Sequence, residues 1–192
     1  MFIATYKARW RALATMISVL AIAACSAATF TANNVGAIPD GTSSTCPAPG
    51  APLNITFTAN GLTSAALTDI RVSMTFGTAH PWGGDLTATL VSPTGISFPL
   101  FGRIGAVSVS AVGSSADLSG NYVFVDPAIT SNNIWTAATN APNPGSIMEG
   151  TYATTPVGGA GAVNPPTPTG FLAAYSTLTT AGVLNGTWTL QV

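Results

Sequence analysis

Charge is scarce in this chain of 192 residues: five Lys or Arg and six Asp or Glu, 6% of the total. Lys7, Arg9 and Arg11 sit together at the N-terminus, leaving Arg71 and Arg103 to face Asp40, Asp69, Asp85, Asp117, Asp126 and Glu149. So few cations in the body of the chain offer nothing to a phosphate backbone, which excludes nucleic-acid binding. Cysteine is equally thin, with Cys25 and Cys46 only. Cys25 closes an N-terminal apolar stretch, so Cys46 stands alone beyond it, and a disulfide framework or Cys-pair zinc site is excluded. His80 is the single histidine, with no second imidazole to complete a zinc site. Beyond the N-terminus there is no run of ~20 apolar residues of the kind that crosses a membrane.

What the chain does have is apolar content, 47%, dispersed among 20 Gly, 14 Pro and many Thr and Ser. That mixture suits short strands joined by turns and coated with hydroxyls in place of Lys and Glu. The N-terminus differs. "MFIATYKARWR" followed by "ALATMISVLAIAA" reads as the positive and apolar regions of an export signal, with cleavage after Ala28 in the small residues "CSAA". "IAAC", residues 22–25, also resembles a lipobox, in which Cys25 would carry a lipid and tie the chain to a membrane; an uncleaved signal anchor is the third reading. Simple secretion is the reading adopted. Residues 29–52, rich in Thr, Ser, Asn, Pro and Gly, read as a linker or a loosely attached first segment.

From residue 53 onward the pattern is β. "LNITFT" (53–58) is the first strand expected. In "TDIRVSMTF", Ile70, Val72, Met74 and Phe76 alternate with Arg71, Ser73 and Thr75, which predicts a sheet with one wet face. "DLTATL" (85–90), "ISFPLF" (96–101), "NYVFVD" (121–126) and "NGTWTLQV" (185–192) continue the period of two. "SPTG" (92–95) is a tight turn by composition. Pro99 removes a ladder donor, so its strand belongs at an edge or a bulge. Residues 102–121 read as a long excursion, "VGGAGAVNPPTPTG" within residues 140–170 as a dense Pro/Gly stretch without regular structure, and "GFLAAYSTL" as one helical turn. About seven strands and no long amphipathic helix predict an all-β sandwich over residues 53–192.

Catalysis finds little support. "GTSSTCP" (41–47) has the Gly-Thr-Ser-x-x-x-Pro spacing found around the nucleophile of subtilisin-like proteases, and Ser43, His80 and Asp69 or Asp85 would supply a triad. Such a nucleophile begins a buried helix beside an oxyanion hole. Here it falls in a polar segment with prolines at 47 and 49, and the chain order of the three groups is not that of subtilisin-like enzymes. No pair of carboxylates is singled out for glycosidase chemistry. His80 reads as a loop residue before a proline. Asp85, following two glycines, reads as the acceptor that fixes a turn; the alternative is an oxygen ligand to calcium together with Asp126 or backbone carbonyls, the one cofactor these residues suggest.

Taken in order, "VSMTFGTAHPWGGDLTATLVSPTGISFPLF" resembles the P domain (P/Homo B domain) of bacterial secreted, subtilisin-like proprotein convertases. His80 ends a strand, Gly84, Asp85 and Leu86 match the family's Gly-Asp-Leu, and Ser92, Pro93 and Gly95 match its Ser-Pro-x-Gly. "AIPD" (37–40), "YVFVDPA" (122–128), "EGTY", "GFLAAY" and the Trp188 strand "NGTWTLQV" follow in family order, covering about residues 37–192. The resemblance implies a jelly-roll β-sandwich without an active site of its own, which accompanies a protease catalytic domain and stabilises it. It also implies one further closing strand after Val192. The expected function is therefore a non-catalytic exported module that docks on a secreted serine protease or another surface protein. A piece of such a protease, or an adhesive, glycan-binding sandwich, are the other readings.

Overall fold

A computed structural model describes residues 27–32, 34–39, 50–62, 67–108, 110–159, 164–178 and 181–192. The described chain is mainly β. Its elements in order are β1 (Asn54–Ala59), β2 (Val72–His80), a 3-10 turn (Gly83–Asp85), β3 (Thr87–Val91), β4 (Ser97–Gly102), β5 (Leu118–Val125), α1 (Ile134–Thr139), β6 (Gly150–Ala153), α2 (Phe171–Ala174), α3 (Ala181–Leu184) and β7 (Gly186–Gln191). They form two sheets. The first is antiparallel, in the order β1-β7-β3-β4; the second is β2-β5-β6, with β5 and β6 parallel.

The alternation expected of β2 is realised. Val72 and Met74 are buried, Ile70 and Phe76 pack partly buried against the core, and Arg71, Ser73 and Thr75 face water. The first sheet behaves likewise: Leu86, Ala88, Leu90, Trp188 and Leu190 turn inward, while Thr87, Thr89 and Thr187 stay at the surface. Phe101 of β4 stacks on Phe124 of β5 with ring centroids 4.8 Å apart, so the two sheets share one core. That arrangement is what a β-sandwich requires.

Pro99 lies where its missing donor demands. It sits on β4, at the end of the first sheet, beside the irregularity that sets Ala88 opposite Phe101 but Thr89 opposite Pro99. The displaced Leu100 carbonyl accepts the Thr155 N–H at 2.9 Å.

Several segments refine or correct the expectations. A strand that was not expected, β6, pairs with β5 in parallel from Gly150 to Ala153, just before the Pro/Gly stretch. A four-residue strand is too short to display a period. Within residues 29–52, read as a linker or a loosely attached first segment, Phe30 and Ile38 pack on the core, and Asn34 hydrogen-bonds to β1. The stretch 102–121 is not an excursion but folds back against the 3-10 turn, and β5 begins at Leu118. In addition, α1 forms where no helix was expected, capped by the Asn133 side chain, which accepts the Trp135 N–H at 2.9 Å.

Buried phenols give the core a dependence on pH. Tyr122, Tyr152 and Tyr175 all hold their protons above the ordinary 10.0, chiefly because burial disfavours the phenolate. Tyr175 donates to the Leu90 carbonyl at 2.6 Å, and Tyr122 to that of Ile147 at 2.7 Å. Since the folded values are raised, this stabilisation is complete below about pH 10. It is lost as pH rises further, because the unfolded chain releases phenolic protons that the folded chain retains. The urea midpoint should fall steeply from about pH 10 to pH 12 and less steeply in Tyr175→Phe; parallel profiles would contradict this origin.

Candidate functional site

The stretch from His80 to Gly95 joins the two sheets. His80 ends β2 opposite Leu118, after a register shift that begins at Phe76. Its Nε2 is buried and has no hydrogen-bond partner among the described residues. Trp82 then adopts the left-handed conformation, φ 68°, and the 3-10 turn closes with the Asp85 N–H on the Trp82 carbonyl at 3.0 Å. Gly83 donates to Ala116 at 2.7 Å and Gly84 to Ser114 at 2.9 Å. Arg103 donates through its backbone to Leu86 at 2.7 Å, and Ser114 to Ile104 at 2.7 Å. Three segments, around residues 83–86, 103–106 and 111–116, are thereby laced together through backbone groups.

Glycine makes this lacing feasible at two positions. A Cβ on Gly84 would lie 2.5 Å from the Ser114 nitrogen and 2.6 Å from the Val112 carbonyl oxygen. A Cβ on Gly113, whose φ is 74°, would lie 2.7 Å from the Gly84 Cα. No side chain fits between such surfaces. The next corner, Ser92–Gly95, is a β-turn with Pro93 second, closed by the Gly95 N–H on the Ser92 carbonyl at 2.9 Å. Ser92 is buried, and its Oγ accepts the Ile96 N–H at 3.0 Å. Pro93 packs over Gly186 at the start of β7. Trp188, two residues on, is buried, donates its indole N–H to Leu184 at 3.0 Å and meets Tyr175 edge-on at 5.3 Å.

The two aspartates singled out in the sequence take the following places. Asp85 closes the turn through its backbone and lies exposed. Asp126 serves a second corner: its Oδ1 accepts the Ala128 N–H at 3.0 Å and its Oδ2 accepts the Leu172 N–H at 3.1 Å, anchoring the start of α2. The calcium reading pairs Asp85 with Asp126 or with backbone carbonyls, and the two aspartates lie far apart. Asp85 lies at the Leu118 end of β5 and Asp126 follows Val125 at the other. Between them runs β5, eight residues at ~3.3 Å each, roughly 25 Å long. Among the described residues no group of three or more His, Cys, Asp or Glu is arranged to hold a metal ion. Ser43, Cys25 and Cys46 lie outside the described residues.

Two open depressions lie among the described residues. One, of about 410 Å³, is lined by Leu67, Asp126, Leu172, Ala173 and Ser176. The other, of about 400 Å³, is lined by Thr31, Asn34, Thr56, Phe57 and Thr58. The first contains a single carboxylate, already engaged by backbone N–H groups, and the second contains no ionisable group.

A feature that sequence reasoning missed stands on the laced corner. Trp82 is 40% exposed, and its indole N–H donates to the Val112 carbonyl at 3.0 Å. Val112 and Val107 of the same loop are 48% and 54% exposed, and the Arg103 guanidinium ties the loop by donating to the Ala111 carbonyl at 2.5 Å. The only signal in the sequence was an aromatic residue beside two glycines. No protein family, no curated protein and no solved structure matches the chain.

Adding one methyl group at Gly84 should be far costlier than adding it elsewhere. Gly84→Ala is expected to lower unfolding free energy by about 3 kcal/mol, whereas Gly77→Ala, which points into open space, should stay within ~0.5 kcal/mol. Chemical denaturation compares them, and equal costs would contradict the close packing. Removing the carboxylate in Asp126→Ala should cost about 1 kcal/mol, as expected for a lost helix cap, with no change at the Trp82 corner.

Proposed function

We propose that this chain is a non-catalytic exported module, a jelly-roll β-sandwich with a signal peptide at residues 1–28, that docks on and stabilises a secreted subtilisin-like serine protease or another surface protein. The P-domain-like motifs support this reading because His80, Gly84, Leu86, Ser92, Pro93, Gly95 and Trp188 all sit in turns, strands or core contacts. The observation that carries it is Trp82. An indole 40% exposed, on a residue in the left-handed conformation and hydrogen-bonded to the carbonyl of the exposed Val112, is an aromatic anchor on a rigid base. Anchors of this kind supply much of the binding energy at protein interfaces, and backbone strain of this kind gathers at functional positions.

In this reading the core and the laced corner hold Trp82 and its valines in one orientation, so little conformational freedom is lost on docking. Simple secretion leaves the chain free to meet its partner; lipidation at Cys25 would hold both at a membrane.

The purified protein is expected to hydrolyse no peptide substrate; hydrolysis abolished by Ser43→Ala would overturn the proposal. Titrated with a subtilisin-like catalytic domain encoded in the same genome, it should bind and raise that domain's melting temperature. Trp82→Ala should weaken binding by about 2 kcal/mol, roughly thirtyfold, while its own melting temperature barely moves. Binding that is indifferent to Trp82 would move the contact elsewhere.

A further inference from the structure

Each sheet ends in two edges, and three of the four edges are satisfied by the chain itself. On β1, the Asn34 side chain imitates a neighbouring strand: its Oδ1 accepts the Thr56 N–H at 2.8 Å and its Nδ2 donates to the Asn54 carbonyl at 2.8 Å. On β4, Thr155 donates to Leu100 and Gly158 to Gly102, each at 2.9 Å. On β6, the Ala153 N–H reaches the Asn132 carbonyl at 2.8 Å, and Asn132 Nδ2 reaches the Thr151 carbonyl at 3.2 Å. The fourth edge is that of β2. It pairs with β5 on one side, and among the described residues none pairs with the other.

This open edge lacks the usual protections. Nine residues, Val72 to His80, include no Lys, Asp, Glu or Pro, and only the register shift after Phe76 interrupts the strand. An unblunted edge of this kind is a template for another strand. Its interior side is apolar: Phe76, at the flank, is only partly buried where it meets Tyr122 at 5.9 Å.

We infer that β2 pairs antiparallel with β2 of a second copy of this chain, doubling the three-stranded sheet about a two-fold axis at Met74. The strand is self-complementary in that register. With Met74 opposite its own counterpart, Val72 faces the partner's Phe76, and Ser73 faces the partner's Thr75. The apolar residues then continue the core and the hydroxyls remain on the wet face. Arg71 falls opposite the partner's Gly77 and Asp69 opposite the partner's Ala79, so no like charges meet. Each Asp69–Arg71 pair, 2.7 Å apart, stays intact within its own copy. An isologous contact also closes on itself, so the edge is used up without forming a filament. The pairing is independent of the Trp82 docking surface.

The test is a charge swap on the exposed positions 73 and 75, read by analytical ultracentrifugation of the purified protein over a range of concentrations. The wild type is expected to show a concentration-dependent dimer. Ser73→Lys with Thr75→Lys puts like charges opposite one another across the axis and should weaken the dimer roughly tenfold or more. Ser73→Glu with Thr75→Lys puts opposite charges there and should restore it. Hydrogen exchange at residues 72–76 of the wild type should slow as concentration rises, a readout that stands even if a variant fails to fold. A single-chain mass up to the solubility limit, a dimer unaffected by the Lys pair, or exchange independent of concentration would each overturn the inference.

Discussion

The contact between two backbones at Gly84 and Gly113 is what the rest of the architecture leans on. The chain leaves one sheet at His80 and enters the other at Thr87, with Pro81–Leu86 between them. A connection this short holds two sheets at one spacing only if it is itself immobile. Hydrogen bonds from Gly83 to Ala116, Gly84 to Ser114 and Arg103 to Leu86 make it so. They form because no Cβ stands between the segments. Conformational freedom surrendered at these glycines is offset by backbone groups that would otherwise be buried without partners. Trp82, displayed on top, derives its fixed orientation from this layer.

Edge satisfaction follows from the same scarcity of charge. Sheet proteins commonly blunt their edges with lysine or proline, and this chain has few cations to spend. It uses carboxamides in their place: Asn34 against β1 and Asn132 against β6 each donate one hydrogen bond to a strand carbonyl, while the Asn34 Oδ1 and the Asn132 backbone carbonyl each accept a strand N–H. The crossover after β6 covers β4 with backbone groups. Against that background the outer edge of β2, which none of the described residues pairs, stands apart.

How much of this was legible in the sequence depended on whether the information was local. Ile70, Val72, Met74 and Phe76 announce β2 because alternation reports one wet face and one dry. Pro99 announces an edge because a missing donor has few places to go. β6 left no such trace, since four residues cannot show a period and its parallel partner lies far away in sequence. The loop from Arg103 to Ala116 read as an excursion because its contacts are made by backbone, and small side chains reveal nothing about which backbone they approach. Asp126 exposed a different limit. A carboxylate that accepts N–H groups and one that ligates a cation present the same oxygens, and only the positions of Ala128 and Leu172 distinguish the two uses.

Native-state hydrogen exchange at the Gly83, Gly84 and Ser114 amides tests the central claim most directly. If the glycine contact is the rigid joint between the sheets, these amides exchange only when the whole domain unfolds, at the rate of Leu90 and Leu190 in the core strands. Exchange at the rate of an ordinary surface loop, with the strands still protected, would show that the corner opens on its own and that the sheets are held together without it.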